Sequence, residues 1–121
     1  MKNIMPQEIE VWYLIPALRR ELAKTFIKDY NLSQKKAAEI LGMTSAAISQ
    51  YMSSKRGKEI KFSDNELKEI KKSAKKIIGN KSNLMKELYD LCVLLIKSKT
   101  ICEIHKSQDD NVTSICDICF K

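Results

Sequence analysis

Residues 34–53 read QKKAAEILGMTSAAISQYMS, from Gln34 to Ser53. Ala37, Leu41, Met43, Ile48 and Tyr51 recur at the spacing that gathers apolar side chains on the inner sides of two short helices. Between the helices Gly42 supplies a tight turn, since glycine enters left-handed backbone without a Cβ clash, and the small Ala38 allows the helices to approach. Two helices of this length joined by a three- or four-residue turn with glycine make a helix-turn-helix, which lays its second helix in the major groove of DNA. With the core positions taken, Thr44, Ser45, Ala46, Ser49 and Gln50 remain on the outer face of a recognition helix near residues 44–52, and all are short or neutral. Such a face comes close to base edges: the Gln50 amide can pair bidentately with adenine, and the Ala46 methyl can meet a thymine methyl. Phosphates fall to Gln34, the helix N-termini and basic residues such as Lys35, Lys55, Arg56 and Lys58. A pair of helices joined at glycine also occurs in proteins that never meet nucleic acid, and Gln50 alone is equally a solvated polar residue.

Outward from this segment the pattern stays helical. Upstream, Val11, Ile15, Leu18, Leu22 and Phe26 form an amphipathic stripe from Pro6 to Asp29, with Pro6 suited to a first helical position. Pro16 interrupts it, because proline removes a hydrogen bond and clashes with the carbonyl of Trp12, so a kink or break is expected. The rival reading makes the branched and aromatic run Ile9–Ile15 a β-strand. Trp12 and Tyr13 read as core or dimer-contact residues rather than a stacking platform for bases. Asn31 can stop the first helix in left-handed backbone, and Ser33 can cap the second. Thr44 or Ser45 caps the third, and residues 53–61 read as a basic loop. Ser63 with Glu66 forms a capping box ahead of Leu67, Ile70, Ala74, Ile77 and Ile78. After Gly79 and Asn80 a fifth helix is expected over about residues 82–97, with Leu84, Leu88, Leu91 and Leu95 on one face. It packs on its own domain or on a second subunit. The fold class is all-α, with three regions: a helix-turn-helix domain over 1–62, a helical pair and possible dimerisation region over 63–99, and a tail over 100–121.

Charge separates the tail from the rest. The 121 residues carry 22 basic against 15 acidic side chains, a net +7 that favours a polyanionic partner. Eleven basic residues face six acidic ones over residues 1–61, nine face five over 62–99, and two face four over 100–121. Lys68, Lys71, Lys72, Lys75 and Lys76 lie opposite the apolar stripe of the fourth helix. That face is read as solvated, adding to the field around DNA, in preference to a membrane or acidic-partner surface, because no bulky aromatic anchors its apolar side. No run approaches the roughly 20 apolar residues of a membrane span, and no signal-peptide pattern opens the chain, so a cytoplasmic protein without membrane contact is expected.

In a reducing compartment cysteines are more often thiols or metal ligands than disulfides. Cys102-x2-His105 and Cys116-x2-Cys119, ten residues apart, form two ligand couples that use the only histidine of the chain. Four such groups complete a tetrahedral site for one metal centre, zinc or an iron–sulfur cluster. The tail's larger apolar residues, Ile101, Ile104, Val112, Ile115, Ile118 and Phe120, are too few to bury a core unaided, and a metal supplies the missing cross-link. Cys92 reads as a small core side chain, with an extra ligand as the alternative.

The segment NLSQKKAAEILGMTSAAISQYMSSKRG resembles the helix-turn-helix of the λ-repressor and Cro-like (XRE) family. With MPQEIEVWYLIPALRRELAK before it and the C-x2-H and C-x2-C ending after it, the chain is similar to an archaeal group of predicted XRE-type transcriptional regulators with a cysteine-rich C-terminus. The resemblance covers most of the chain and is most specific over Met5–Gly57. It implies a helical DNA-binding domain, sequence-specific operator binding and a homodimer, with Gln34 clamping a phosphate while Thr44, Ser45, Ala46, Ser49 and Gln50 face bases; the fold expected is a five-helix domain of this kind with a C-terminal metal-binding knuckle. The long first helix with Pro16, and the tail, depart from the wider family pattern. The expected function is transcriptional regulation on double-stranded DNA without enzymatic activity. The competing classes are an RNA-binding module, a metal-dependent protein-interaction module, and a dithiol redox enzyme on Cys116 and Cys119 that lacks the expected strand–helix context.

Overall fold

Local backbone chemistry accounts for the helix boundaries in a computed structural model of the chain, which describes residues 5–53 and 60–96. The helical elements are α1 (Pro6–Ile9), a π-helical segment (Glu10–Leu14), α2 (Ile15–Lys28), α3 (Gln34–Leu41), α4 (Ser45–Met52), α5 (Asp64–Ile78) and α6 (Leu84–Leu95). All secondary structure among the described residues is helical, so Ile9–Ile15 is not a strand.

Pro16 does not break the first helix. It sits in the first turn of α2, directly after the π segment, where the wider turn accommodates the ring and the missing N–H. Helical backbone is unbroken from Pro6 to Lys28, so α1, the π segment and α2 make one run and the chain has five such runs among the described residues. The π turn has a second effect. It takes an extra residue into the turn, so the stripe upstream of it changes register: Ile9 and Leu14, five apart, are buried, while Val11 is 59% exposed and Trp12 45% exposed. Val11 therefore leaves the core face on which simple periodicity placed it, and Trp12 is not a core residue.

Side-chain caps start the later helices. Ser33 accepts from the Lys36 N–H at 3.0 Å and Asn83 from the Lys86 N–H at 2.9 Å. Ser63 accepts from the Glu66 N–H at 3.2 Å while the Glu66 carboxylate accepts from the Ser63 N–H at 2.8 Å, completing the capping box. The Asn83 cap is why α6 begins at Leu84 rather than near Ser82. Two asparagines provide left-handed stops, Asn31 at φ 54 after α2 and Asn80 at φ 58 after α5. At the second, the Lys81 N–H donates to the Lys76 carbonyl at 2.9 Å and the Asn80 N–H to Ile77 at 3.2 Å. This is a Schellman closure on Asn80, with Gly79 still in ordinary backbone.

Helix α2 is the centre of the fold, packing against α3, α4 and α5 and less extensively against α6. Leu18, Leu22, Ala23 and Phe26 on α2 are fully buried and share one cluster with Ala37, Ala38 and Leu41 of α3, Ile48 of α4, Ile70, Ala74 and Ile77 of α5, and Leu91, Cys92 and Leu95 of α6. The helical pair α5–α6 thus rests on the same core as α3–α4, and Ile60, 4% exposed, joins it just before α5. Each large aliphatic side chain so buried contributes about 1.5–3 kcal/mol. Cys92 takes its place there as a small apolar group. One carboxylate is buried too: Glu87, 4% exposed, accepts from the Ser82 hydroxyl at 2.7 Å and lies 3.9 Å from the Lys76 ammonium, pinning the α5–α6 connection. On the outer side of α6, Lys86 donates to Asp90 at 2.7 Å, and this carboxylate holds the ammonium pKa above its ordinary value.

Candidate nucleic-acid interface

The link between α3 and α4 is three residues long and tightly specified. Gly42 adopts φ 66 and ψ 35, its N–H donates to the Glu39 carbonyl at 3.3 Å, and the Met43 N–H donates to the Ala38 carbonyl at 2.9 Å. An added Cβ at Gly42 would meet nothing within 4 Å, so it is the positive φ, not crowding, that asks for glycine. Thr44 then caps α4, its hydroxyl accepting from the Ala47 N–H at 3.1 Å. Thr44, not Ser45, is the cap.

These two turns decide the direction of α4, and burial decides its rotation. Ile48 and Tyr51 are 0% and 2% exposed and anchor the inner face. The Arg20 guanidinium Nε on α2 donates to the Tyr51 carbonyl at 3.3 Å, tying the far end of α4 to the central helix. Ser45, Ala46, Ser49 and Gln50 consequently stand exposed on the outer face, with Thr44 exposed at its start and Gln34 and Lys35 exposed in the first turn of α3. Met43 is half-buried against the core. The two eight-residue helices are also joined on their outer side, where the Ser49 hydroxyl donates to Gln34 Oε1 at 3.0 Å. Neither the Arg20 tie nor the Ser49–Gln34 bond is visible in periodicity, because each joins polar groups whose meeting depends on how the helices cross.

Lys55, Arg56 and Lys58 lie outside the described residues, as do Cys102, His105, Cys116 and Cys119. Among the described residues there is no group of three or more His, Cys, Asp or Glu side chains placed to hold a metal ion. Lys68, Lys71, Lys72, Lys75 and Lys76 of α5 are all exposed. Two of them are partly neutralised, Lys72 by Glu69 at 3.2 Å and Lys76 by Glu87 at 3.9 Å. No helix of the described residues is long and apolar enough to cross a membrane.

Fold and outer face together define a protein whose described residues form helices only and present a short neutral helix on a glycine-set turn. Comparison of the chain with protein-family models, curated proteins and solved structures finds no match.

Proposed function

We propose that this chain is a sequence-specific DNA-binding transcriptional regulator of the XRE type, with α4 entering the major groove. The observation that carries the reading is the division of α4 into a locked inner face and an exposed outer face of Ser45, Ala46, Ser49 and Gln50. A surface helix without a ligand is ordinarily dressed in long charged side chains; here they are absent from α4, and small or amide groups leave room for base edges. The N-terminus of α3, with exposed Gln34 and Lys35, supplies N–H dipoles and charge for a phosphate. Lys55, Arg56 and Lys58 continue the basic stretch beyond α4.

Binding to an operator selected from random duplex, compared with bulk duplex at physiological salt, tests this reading. A specific regulator gives a ratio of about 10³ or more, and a ratio near one rejects it in favour of general nucleic-acid binding. Replacing Gln50 by alanine is expected to relax preference at one base pair and to cost about 1–3 kcal/mol on the selected operator. Uniform weakening across all sequences would reassign Gln50 to the backbone.

The regulator acts as a homodimer in this reading, with two copies spanning half-sites about one helical turn apart. An apolar depression between the first helix and α6 provides the contact. It is lined by Val11, Ile15, Met85, Leu88, Tyr89 and Cys92, with Gln7 its one polar member and no charge. Met85 is 82% exposed and Tyr89 68% exposed, and Val93, one turn on, is 51% exposed. Val11, Met85 and Tyr89, all exposed and all lining the depression, form an apolar patch of the kind that marks a protein–protein contact. Two copies of a chain with net +7 approach best through a face without lysine, which singles out a second copy here. Tyr89→Asp is expected to convert a dimer to a monomer in sedimentation and to weaken operator binding at least tenfold while helix content is unchanged. A wild-type chain that sediments as a monomer at micromolar concentration overturns the assignment.

The same reading gives the tail one metal centre per chain, zinc or an iron–sulfur cluster, held by Cys102, His105, Cys116 and Cys119. Thiolates and imidazole are the donor set both centres use.

A further inference from the structure

A serine hydroxyl has one proton to donate and two lone pairs to accept with. In Ser49 the proton is committed: it points to Gln34 Oε1 at 3.0 Å, across the 15 residues that separate the start of α3 from the outer face of α4. We propose that the Gln34–Ser49 hydrogen bond makes Ser49 an acceptor-only reader, selecting a base with an exocyclic amino group, adenine or cytosine, at its position in the major groove. The proposal rests on the DNA-binding reading above and specifies what that site reads.

The chemistry follows from what each base offers. Adenine N6 and cytosine N4 carry protons in the major groove, whereas guanine O6 and N7 and thymine O4 only accept. An oxygen whose own proton is engaged can receive the first two. Against guanine or thymine it sets lone pair against lone pair, and both groups lose the water they bonded before. The Gln34 side chain remains useful in this arrangement. Its Oε1 holds the serine while both protons on Nε2 stay available to a phosphate oxygen. One amide then ties phosphate contact to base reading, so the register of α3 on the backbone and the polarity of α4 toward the base are set together. Both side chains are exposed and lie outside the buried cluster, so they can be altered without touching the core.

Selection from a randomised duplex library with the full chain, followed by affinity measurement on the four single-base variants at each position, tests the proposal. The wild type should disfavour guanine and thymine by roughly three- to tenfold at one position, the worth of one net hydrogen bond. Ser49→Ala should flatten that position and leave the others intact. Gln34→Ala frees the serine proton, so guanine and thymine should become acceptable there, within about twofold of the amino bases. Gln34→Glu keeps an acceptor for the serine but has no proton for phosphate; it should retain the base preference while lowering affinity for every sequence. A wild type that selects an operator whose base preferences are unchanged by both Ser49→Ala and Gln34→Ala overturns this proposal alone. A wild type that selects nothing overturns the DNA-binding reading and the proposal together.

Discussion

Truncating Phe26 to alanine is expected to lower the thermal midpoint of unfolding by on the order of 15–30 °C and to abolish operator binding wherever the variant is unfolded. Phe26 is fully buried on α2, the helix against which α3, α4 and α5 all pack. Removing a buried phenyl ring costs about 3–5 kcal/mol, because the lost transfer energy is joined by a cavity that the neighbours fill only in part. A domain of this size has about 5–15 kcal/mol in total, and each kcal/mol moves the midpoint by about 4–8 °C. The carbonyl of Phe26 also accepts from the Leu32 N–H at 3.1 Å, closing the turn that leads into α3. Loosening this residue therefore reaches the candidate interface through packing rather than through any contact with DNA. Far-UV circular dichroism on heating, with operator titrations below and above the variant's midpoint, checks it. A shift under about 5 °C would remove Phe26 from the centre of the core.

The second large effect is expected from metal removal. Anaerobically purified protein should carry one metal centre per chain, and chelation should make residues 100–121 susceptible to protease while the helices keep their circular dichroism. The apparent binding free energy of a structural zinc, about 10–16 kcal/mol, exceeds what the few larger apolar residues of the tail can contribute by burial. The buried cluster gathers apolar side chains of every helix from Ile9 to Leu95, so the helices have packing of their own to keep when the metal is removed. Metal analysis with an absorption spectrum separates the two centres. Colourless protein with zinc identifies a structural knuckle, and visible charge-transfer bands with iron and sulfide identify a cluster. A tail that stays protease-resistant in reductant and chelator, with neither metal bound, would reject the centre.

The chemistry of single residues and their near neighbours was enough to determine much of this chain. The all-helical class follows from the apolar spacing, the capping box from Ser63 and Glu66, and the turn at Gly42 from a backbone conformation that glycine adopts without strain. The division of α4 into inner and outer faces was equally legible, since Ile48 and Tyr51 can reach the core only if Ser45, Ala46, Ser49 and Gln50 turn away. These are short-range consequences, in which each residue answers to neighbours within about one or two turns. Tertiary structure decided the rest, because the deciding partner lay far along the chain or the period itself changed. The π segment before Pro16 shifts the register and puts Val11 and Trp12 outside, which a constant 3.6-residue period cannot anticipate. Asn80 rather than Gly79 took the left-handed position after α5, although glycine is the freer residue, and the Asn80 and Lys81 N–H groups close on the Ile77 and Lys76 carbonyls there. Glu87 could be buried only because Ser82 and Lys76 came within reach of its carboxylate. The Ser49 hydroxyl reaches Gln34 only because α3 and α4 cross, so the hydrogen bonding on the outer face of α4 is a property of the packed pair of helices.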